Sequence, residues 1–362
     1  MKTWKHRILS GIAAILIVTA ICTACKNGTT NHSHDWGEWV VTKVPTLTEV
    51  GEETRICNFD PAHIEKRSIP SLVLNESIDE IIEFLDTQTG GNAASDPIPL
   101  IVSIEMGTTT EETSGWQLLL NAIEESGKYV ELDLSSCEMD NAVFNPDRTI
   151  QTGKDKIVSL VLPSEATEIP GGRNAANSPF SGFTTLESIS GMGITSIGQM
   201  AFTYDGNESL TEVSFPAVTD IGYGAFANCT GLTKASFPTV TDIGSSAFEN
   251  CTSLTEISFS AEAVIGMPFT GCSNLTKFNP IGTGPLSTLE NGKALVHDNT
   301  ELVAYPSASG SIVMAAITCI GASAFYGNTS LTKVDFPAVT SIGPGAGTRS
   351  FMNCINLTEG NL

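Results

Sequence analysis

The chain has 362 residues, 41 % hydrophobic and 16 % charged, with 40 acidic against 18 basic side chains and a formal charge of −22. A surface this acidic repels phosphate backbones and anionic headgroups, which excludes nucleic acid as a main partner. Such a length would ordinarily point to two or more cores, unless repeats supply it, because stacked repeats add length without adding cores.

Lys2, Lys5 and Arg7 precede an apolar run from Ile8 to about Ile21, followed by Cys22-Thr-Ala-Cys25. A basic start, a short apolar stretch and a small residue before the cut describe a secretory signal. The run falls short of the ~20 residues of a spanning helix. Ala24-Cys25 resembles a bacterial lipobox, which would make Cys25 the lipidated mature N-terminus, although Cys22 stands where Leu is usual. Plain secretion and an uncleaved anchor are the alternatives. On this reading residues 1–24 are the signal peptide, residues 25–31 a tether, and the N-terminal lipid is the link to a membrane. Removing the three leader cations from 18 leaves 15 basic against 40 acidic residues, a balance near −25.

Residues 32–70 form a small module opening with His32-Ser-His34-Asp-Trp36-Gly-Glu-Trp39. A zinc site could be drawn from His32, His34, Cys57 and His63, but it would lack paired Cys-x-x-Cys knuckles. A β module packed on Trp36 and Trp39 is the blander reading. Residues 71–165 alternate helix and strand patterns. Ser77-Ile-Asp-Glu80 is a capping box with Ile78, Ile81, Ile82 and Leu85 at helical spacing behind it. Ser114-Gly-Trp-Gln117 opens a second helix that stops at Gly127, and strands are expected at Leu100–Ile104, Tyr129–Leu134 and Lys156–Leu162. Strand, crossover helix, parallel strand is a helix-backed coil, read here as the N-terminal cap and first coils of a solenoid.

From residue 166 to 362 a sentence of about twenty-two residues recurs, clearest in Thr219–Val240 and Thr241–Phe259. A fixed period of this size means a solenoid whose units share one core. Ile197, Ile221, Ile243, Ile265, Ile320 and Ile342 share one slot, each followed by Gly. Phe180, Phe202, Phe226, Phe248, Phe269, Phe325 and Phe351 share the next and are expected to form a buried spine. Val213/Phe215, Ala235/Phe237, Ile257/Phe259 and Val334/Phe336 alternate with polar residues, which gives each unit a short strand with one buried face. Cys229, Cys251, Cys272 and Cys354 lie three residues after the Phe, a slot taken elsewhere by Asn328 and Phe183. The slot reads as interior, with the thiols as small buried groups and adjacent-coil disulfides as the alternative. Asn291–Val296, a turn, and Leu302–Pro306 read as a β-hairpin at about 290–306, looped out of one coil.

These units resemble the BspA-like leucine-rich repeats of bacterial surface proteins, whose phrase is roughly Ile-Gly-x-x-Ala-Phe-x-x-Cys-x-x-Leu-x-x-Ile-x-Phe/Ile-Pro. It stands at Ile221–Pro238 and Ile243–Phe259, and at Ile320–Pro337 with Asn328 for the Cys. The resemblance implies an α/β solenoid, a stack of short parallel strands with helix-containing N-terminal cap coils and one inserted hairpin. It also implies a surface lipoprotein that adheres to host matrix proteins or to other bacteria. Residues 32–70 resemble a further element of such proteins, with Leu47 and Asp60 in place of two of its cysteines.

No phosphate loop, His-Glu-x-x-His or dinucleotide fingerprint occurs, and after residue 63 the sole His is His297. No catalytic residue, metal or cofactor is therefore expected. The sheet does offer a polar face. Glu212, Lys234, Glu256, Lys277 and Lys333 are expected in one outward row, and Ser214, Ser236 and Ser258 in the next, where neighbours about 4.8 Å apart touch. They form either a contact strip for a protein partner or a solvated charge ladder. Correspondingly, the chain is read as a monomeric adhesion scaffold or as a structural envelope protein. The last residues hold no capping helix, so the final coil is expected to fray.

Overall fold

A computed structural model describes residues 40–43, 51–57, 64–69, 78–110, 114–146, 152–173, 178–203, 207–343 and 349–362. Cys25, His32, His34, Trp36, Trp39, His63 and Ser77 lie outside these residues, and with them the expected leader, the lipid attachment and most of the imagined zinc site. The chain divides into two units, residues 1–73 and 74–362. In the first, β1 (Val40–Lys43), β2 (Gly51–Ile56) and β3 (Ile64–Ile69) form an antiparallel meander. Cys57 is buried where β2 ends.

The second unit is a parallel β-solenoid. It opens with α1 (Ile78–Thr87), which buries Ile81 and Leu85, and α2 (Gly115–Ser126), which buries Trp116, Leu119, Leu120 and Ile123. Ser114 caps α2 by accepting the Gln117 N–H at 3.2 Å, and Gly127 ends it in the left-handed region at φ 64°. Eight strands make the main sheet: β4 (Ile98–Ile101), β5 (Val130–Asp133), β6 (Ile157–Val161), β8 (Ser188–Ser190), β10 (Glu212–Ser214), β12 (Lys234–Phe237), β14 (Glu256–Ser260) and β16 (Lys277–Ile281). All neighbours are parallel. The connection from β4 through α2 to β5 is the helix-backed coil the sequence predicts. Pro280 lies in β16, an edge strand, where a missing N–H is tolerated.

A second ladder, not read from the sequence, joins Ile169, which precedes Pro170, to the Ile-Gly steps of the following coils. Its strands are β7 (Glu168–Ile169), β9 (Ser196–Ile197), β11 (Asp220–Ile221), β13 (Asp242–Ile243) and β15 (Val264–Ile265). Each has two residues, too short for a period-two pattern to show. The Gly that follows has a steric cause. A Cβ on Gly222 would come 2.5 Å from the Gln199 nitrogen, and one on Gly244 2.7 Å from the Tyr223 nitrogen.

Between the ladders the Phe rings stack coil on coil. Centroids are 4.3 Å apart for Phe180–Phe202, 4.9 Å for Phe202–Phe226, 5.4 Å for Phe226–Phe248 and 5.8 Å for Phe248–Phe269. Phe144 and Trp116 extend this column toward the helices, at 6.4 and 5.5 Å.

The hairpin departs from expectation. β17 (Leu286–Leu289), β18 (Ala294–His297) and β19 (Glu301–Ala304) form a three-stranded antiparallel meander. β19 also pairs in parallel with β21 (Cys319–Ile320), which pairs with β23 (Ser341–Ile342). The segment is thus not looped out but built in as a coil. Leu302 takes the Ile slot opposite Ile320, and Tyr305 takes the Phe slot, donating its N–H to the Ala324 carbonyl as Phe226 does to Ala247. The apolar side chains at both positions make burial more favourable than extrusion. A three-stranded sheet of β20 (Gly310–Val313), β22 (Leu331–Asp335) and β24 (Glu359–Asn361) completes the fold. The apolar core correspondingly falls into two clusters, with Leu295 and Ala304 in the first and Val296 and Leu302 in the second. The C-terminal residues differ from the expected frayed coil, because β24 pairs with β22 from Lys333–Glu359 to Asp335–Asn361.

Candidate functional site: the outward face of the main sheet

The inward row of the main sheet runs Leu100, Leu132, Leu160, Ile189, Val213, Ala235, Ile257, Phe278 in unbroken register. Since side chains alternate along a strand, the flanking residues must point outward. Glu212, Lys234, Glu256 and Lys277 are cross-strand neighbours, as are Ser214, Ser236, Ser258 and Asn279. Ser159 and Ser188 continue the first row toward the helices and share a 2.9 Å hydrogen bond. Eight strands at the usual spacing make a face about 34 Å long.

Lys333 is a correction. It lies on the separate sheet, opposite Glu359 and Ser311, and its ammonium is 2.7 Å from the Glu359 carboxylate. The built-in meander separates it from Lys277. That pairing holds the Glu359 carboxyl below, and the Lys333 ammonium above, their ordinary ranges.

Within the main row the charges are unequally available. Lys277 donates to Glu256, and Asn279 donates to the same carboxylate at 2.6 Å and to Ser258 at 3.3 Å. Hydrogen bonding from Lys277, then from Asn279, lowers the Glu256 pKa. The sequence reading missed this anchoring role of Asn279, although its place in the serine row was visible. Glu212, Lys234, Ser214 and Ser236 are exposed and form the accessible centre of the strip.

Behind the strip, side chains repeat with the coils. Thr219 sends both its N–H and its hydroxyl to the Thr195 carbonyl, at 2.8 and 3.1 Å, and Thr241 does the same to Thr219 at 2.8 and 3.0 Å. The thiols of Cys229, Cys251, Cys272 and Cys354 donate to the carbonyls of Phe202, Phe226, Phe248 and Phe325, at 3.4, 3.1, 2.9 and 3.0 Å. In the same slot Asn328 donates to the carbonyls of Pro306 and Ala308. Cys137, Cys229, Cys251, Cys272, Cys319 and Cys354 form no disulfide. Burial pushes the Cys229 and Cys272 thiols up to about 12 and Cys251 well above its ordinary value. Thiols so buried stay protonated at neutral pH and are correspondingly unreactive. No cluster of three or more His, Cys, Asp or Glu suited to a metal occurs among the described residues.

Short parallel strands at a twenty-two-residue period over a Phe and Leu core define a leucine-rich repeat solenoid. Residues 173–290 and 307–362 match the BspA type leucine-rich repeat region in six copies, so this part of the chain consists of repeats of that type. The unmatched stretch between them contains β18 and β19.

Solved structures similar to this chain include a leucine-rich cell surface protein from Faecalibacterium prausnitzii A2-165, 24 % identical, with a TM-score of 0.40. That match covers 60 % of this chain and 63 % of the other, so this chain spans less than two thirds of it. A leucine-rich repeat protein from Eubacterium ventriosum ATCC 27560 is 18 % identical over 61 % of this chain and 78 % of that one, with a TM-score of 0.41. Another, from Bacteroides ovatus ATCC 8483, is 19 % identical over 73 % and 86 %, with a TM-score of 0.24. No curated protein matches the sequence significantly. No helix among the described residues is long and apolar enough to cross a membrane.

Proposed function

We propose that the protein is a lipid-anchored surface scaffold that binds a protein partner through the outward face of its main sheet. One observation carries the reading: the centre of that face is an unbroken, exposed grid of Glu212, Lys234, Ser214 and Ser236 on a rigid sheet. Alternating charge and hydroxyls fix the register of a polar partner, and the rigid backbone lowers the entropy lost on binding. Repeat solenoids generally serve as interaction scaffolds, which supports the reading. Cys25 supplies the anchor, and the acidic surface keeps nucleic acid away.

The test is binding of the mature chain to immobilised extracellular-matrix proteins and to intact bacteria. Saturable binding that Ser236→Trp abolishes supports the proposal. Absence of saturable binding to either probe favours the second reading, a structural envelope protein. For the anchor, Cys25→Ala should abolish labelling by a fatty-acid analogue, and unchanged labelling would remove Cys25 from that role.

A further inference from the structure

The Ile ladder has a direction. Thr241 and Gly244 donate their N–H groups to the carbonyls of Thr219 and Ile221, both at 2.8 Å. Val264 and Gly266 donate to Thr241 and Ile243, at 2.9 and 3.1 Å. The register passes the next acceptor positions to Ala263 and Ile265, and no backbone N–H among the described residues bonds to either. The strand that would supply those donors has been diverted into the meander. β19 resumes the ladder, but it is paired with β18 and β21, which leaves β15 as an open edge.

Between β15 and β19 lies a cleft of about 490 Å³, within the range of about 300–1,000 Å³ usual for ligand sites. One end is bounded by the Leu286 N–H bonded to the Ala261 carbonyl at 3.2 Å. At the other, the Ser323 hydroxyl lies 3.5 Å from the Met267 sulfur. The side chains change character where the ladder meets the cleft. The outward slot holds Ser196, Asp220 and Asp242 in successive coils and then Val264, which is 67 % exposed. Met267, 42 % exposed, and Val303 add further apolar wall, while Glu262 and Glu301 line the same space. His297 stands at the rim, its Nδ1 3.3 Å from the Asp298 carboxylate.

We propose that this cleft binds an extended peptide segment bearing lysine or arginine, added to β15 as a further parallel strand. Alternate N–H groups of the segment donate to the Ala263 and Ile265 carbonyls, an apolar side chain covers Val264 and Met267, and a cation meets Glu262 and Glu301. Strand addition to an open edge obtains affinity from main-chain bonds and specificity from alternate side chains. Charge selects a cationic segment over a second copy of this chain, because every copy carries −22. The site is separate from the main-sheet strip, and neither depends on the other.

Fluorescence anisotropy on the full mature chain tests this, with a dye-labelled peptide of alternating valine and lysine as probe. The probe should bind saturably. Affinity should fall at least about tenfold when glutamate replaces its lysines, and likewise when its alternate amides are N-methylated. The same loss is expected in a Glu262→Gln, Glu301→Gln double variant. It is also expected in Val264→Ser, which removes the apolar contact without adding charge and restores the residue type that Ser196 supplies in the same slot. Absence of saturable binding would overturn the proposal. So would equal binding of the N-methylated peptide, which would show charge attraction without strand addition, or unchanged binding to Val264→Ser.

Discussion

At the scale of single residues, the slot before each Cys is governed by backbone conformation. Asn228, Asn250 and Asn353 have φ of 63°, 58° and 62°, and Gly271 and Gly327 fill the slot elsewhere at 78° and 71°. Asn and Gly tolerate this left-handed region, whereas a residue with an ordinary Cβ is penalised by about 1–2 kcal/mol. Asn250 also donates to the Asn228 side chain at 3.1 Å. Asn250→Ala should therefore lower stability by about 1–2 kcal/mol, and Asn250→Gly by less, read from urea midpoints. Equal losses would place the effect in the side-chain bond instead.

The buried thiols give a second test at this scale. Cys229 and Cys272 titrate near 12 when folded, against an ordinary value of 9.0. Their contribution is fully present below about pH 9 and is lost as pH rises toward about 12, by about 1.4 kcal/mol per unit for each thiol. The stability gap between the wild type and Cys272→Ala should shrink as pH rises from 8 to 11. A constant gap would show that the thiol is accessible.

At the scale of elements, the Phe column was legible because one large apolar residue per coil, at constant spacing, has no other place to go. Tyr305 escaped because its coil is shortened and its phenol disguises a spine position. The two-residue Ile ladder escaped for a different reason, since its signal is the following Gly, which reports a close approach between coils that is visible only in three dimensions. Of the outward row, Glu212 through Lys277 followed from strand alternation alone. Lys333 did not, because register within a strand says nothing of where a sheet is interrupted. Phe248 is fully buried between Phe226 and Phe269. Phe248→Ala should cost about 3–5 kcal/mol, and in a stack with nearest-neighbour coupling the loss stays local. Limited proteolysis should cut within residues 226–275 while the helix-backed coils survive, and wild-type resistance throughout would remove Phe248 from the core.

At the scale of the molecule, the solenoid turns one repeated sentence into a rigid array, and the array into an addressable face. A charge ladder that serves only solubility and a contact strip differ in one respect: only the second depends on which charge stands where. Exchanging the two residues in the variant Glu212→Lys, Lys234→Glu preserves net charge, composition and the attraction between those two positions, while setting a second carboxylate beside Glu256, a repulsion that solvent exposure keeps small. The most direct measurement is surface plasmon resonance of wild type and this exchange variant against a matrix protein that captures the wild type in the proposed binding test, with thermal melts alongside. A melting temperature lowered by no more than about 4 °C, with binding weakened at least about tenfold, is the predicted result. Equal affinity of the two proteins would contradict it, and would mark the row as a solvated ladder with no part in recognition.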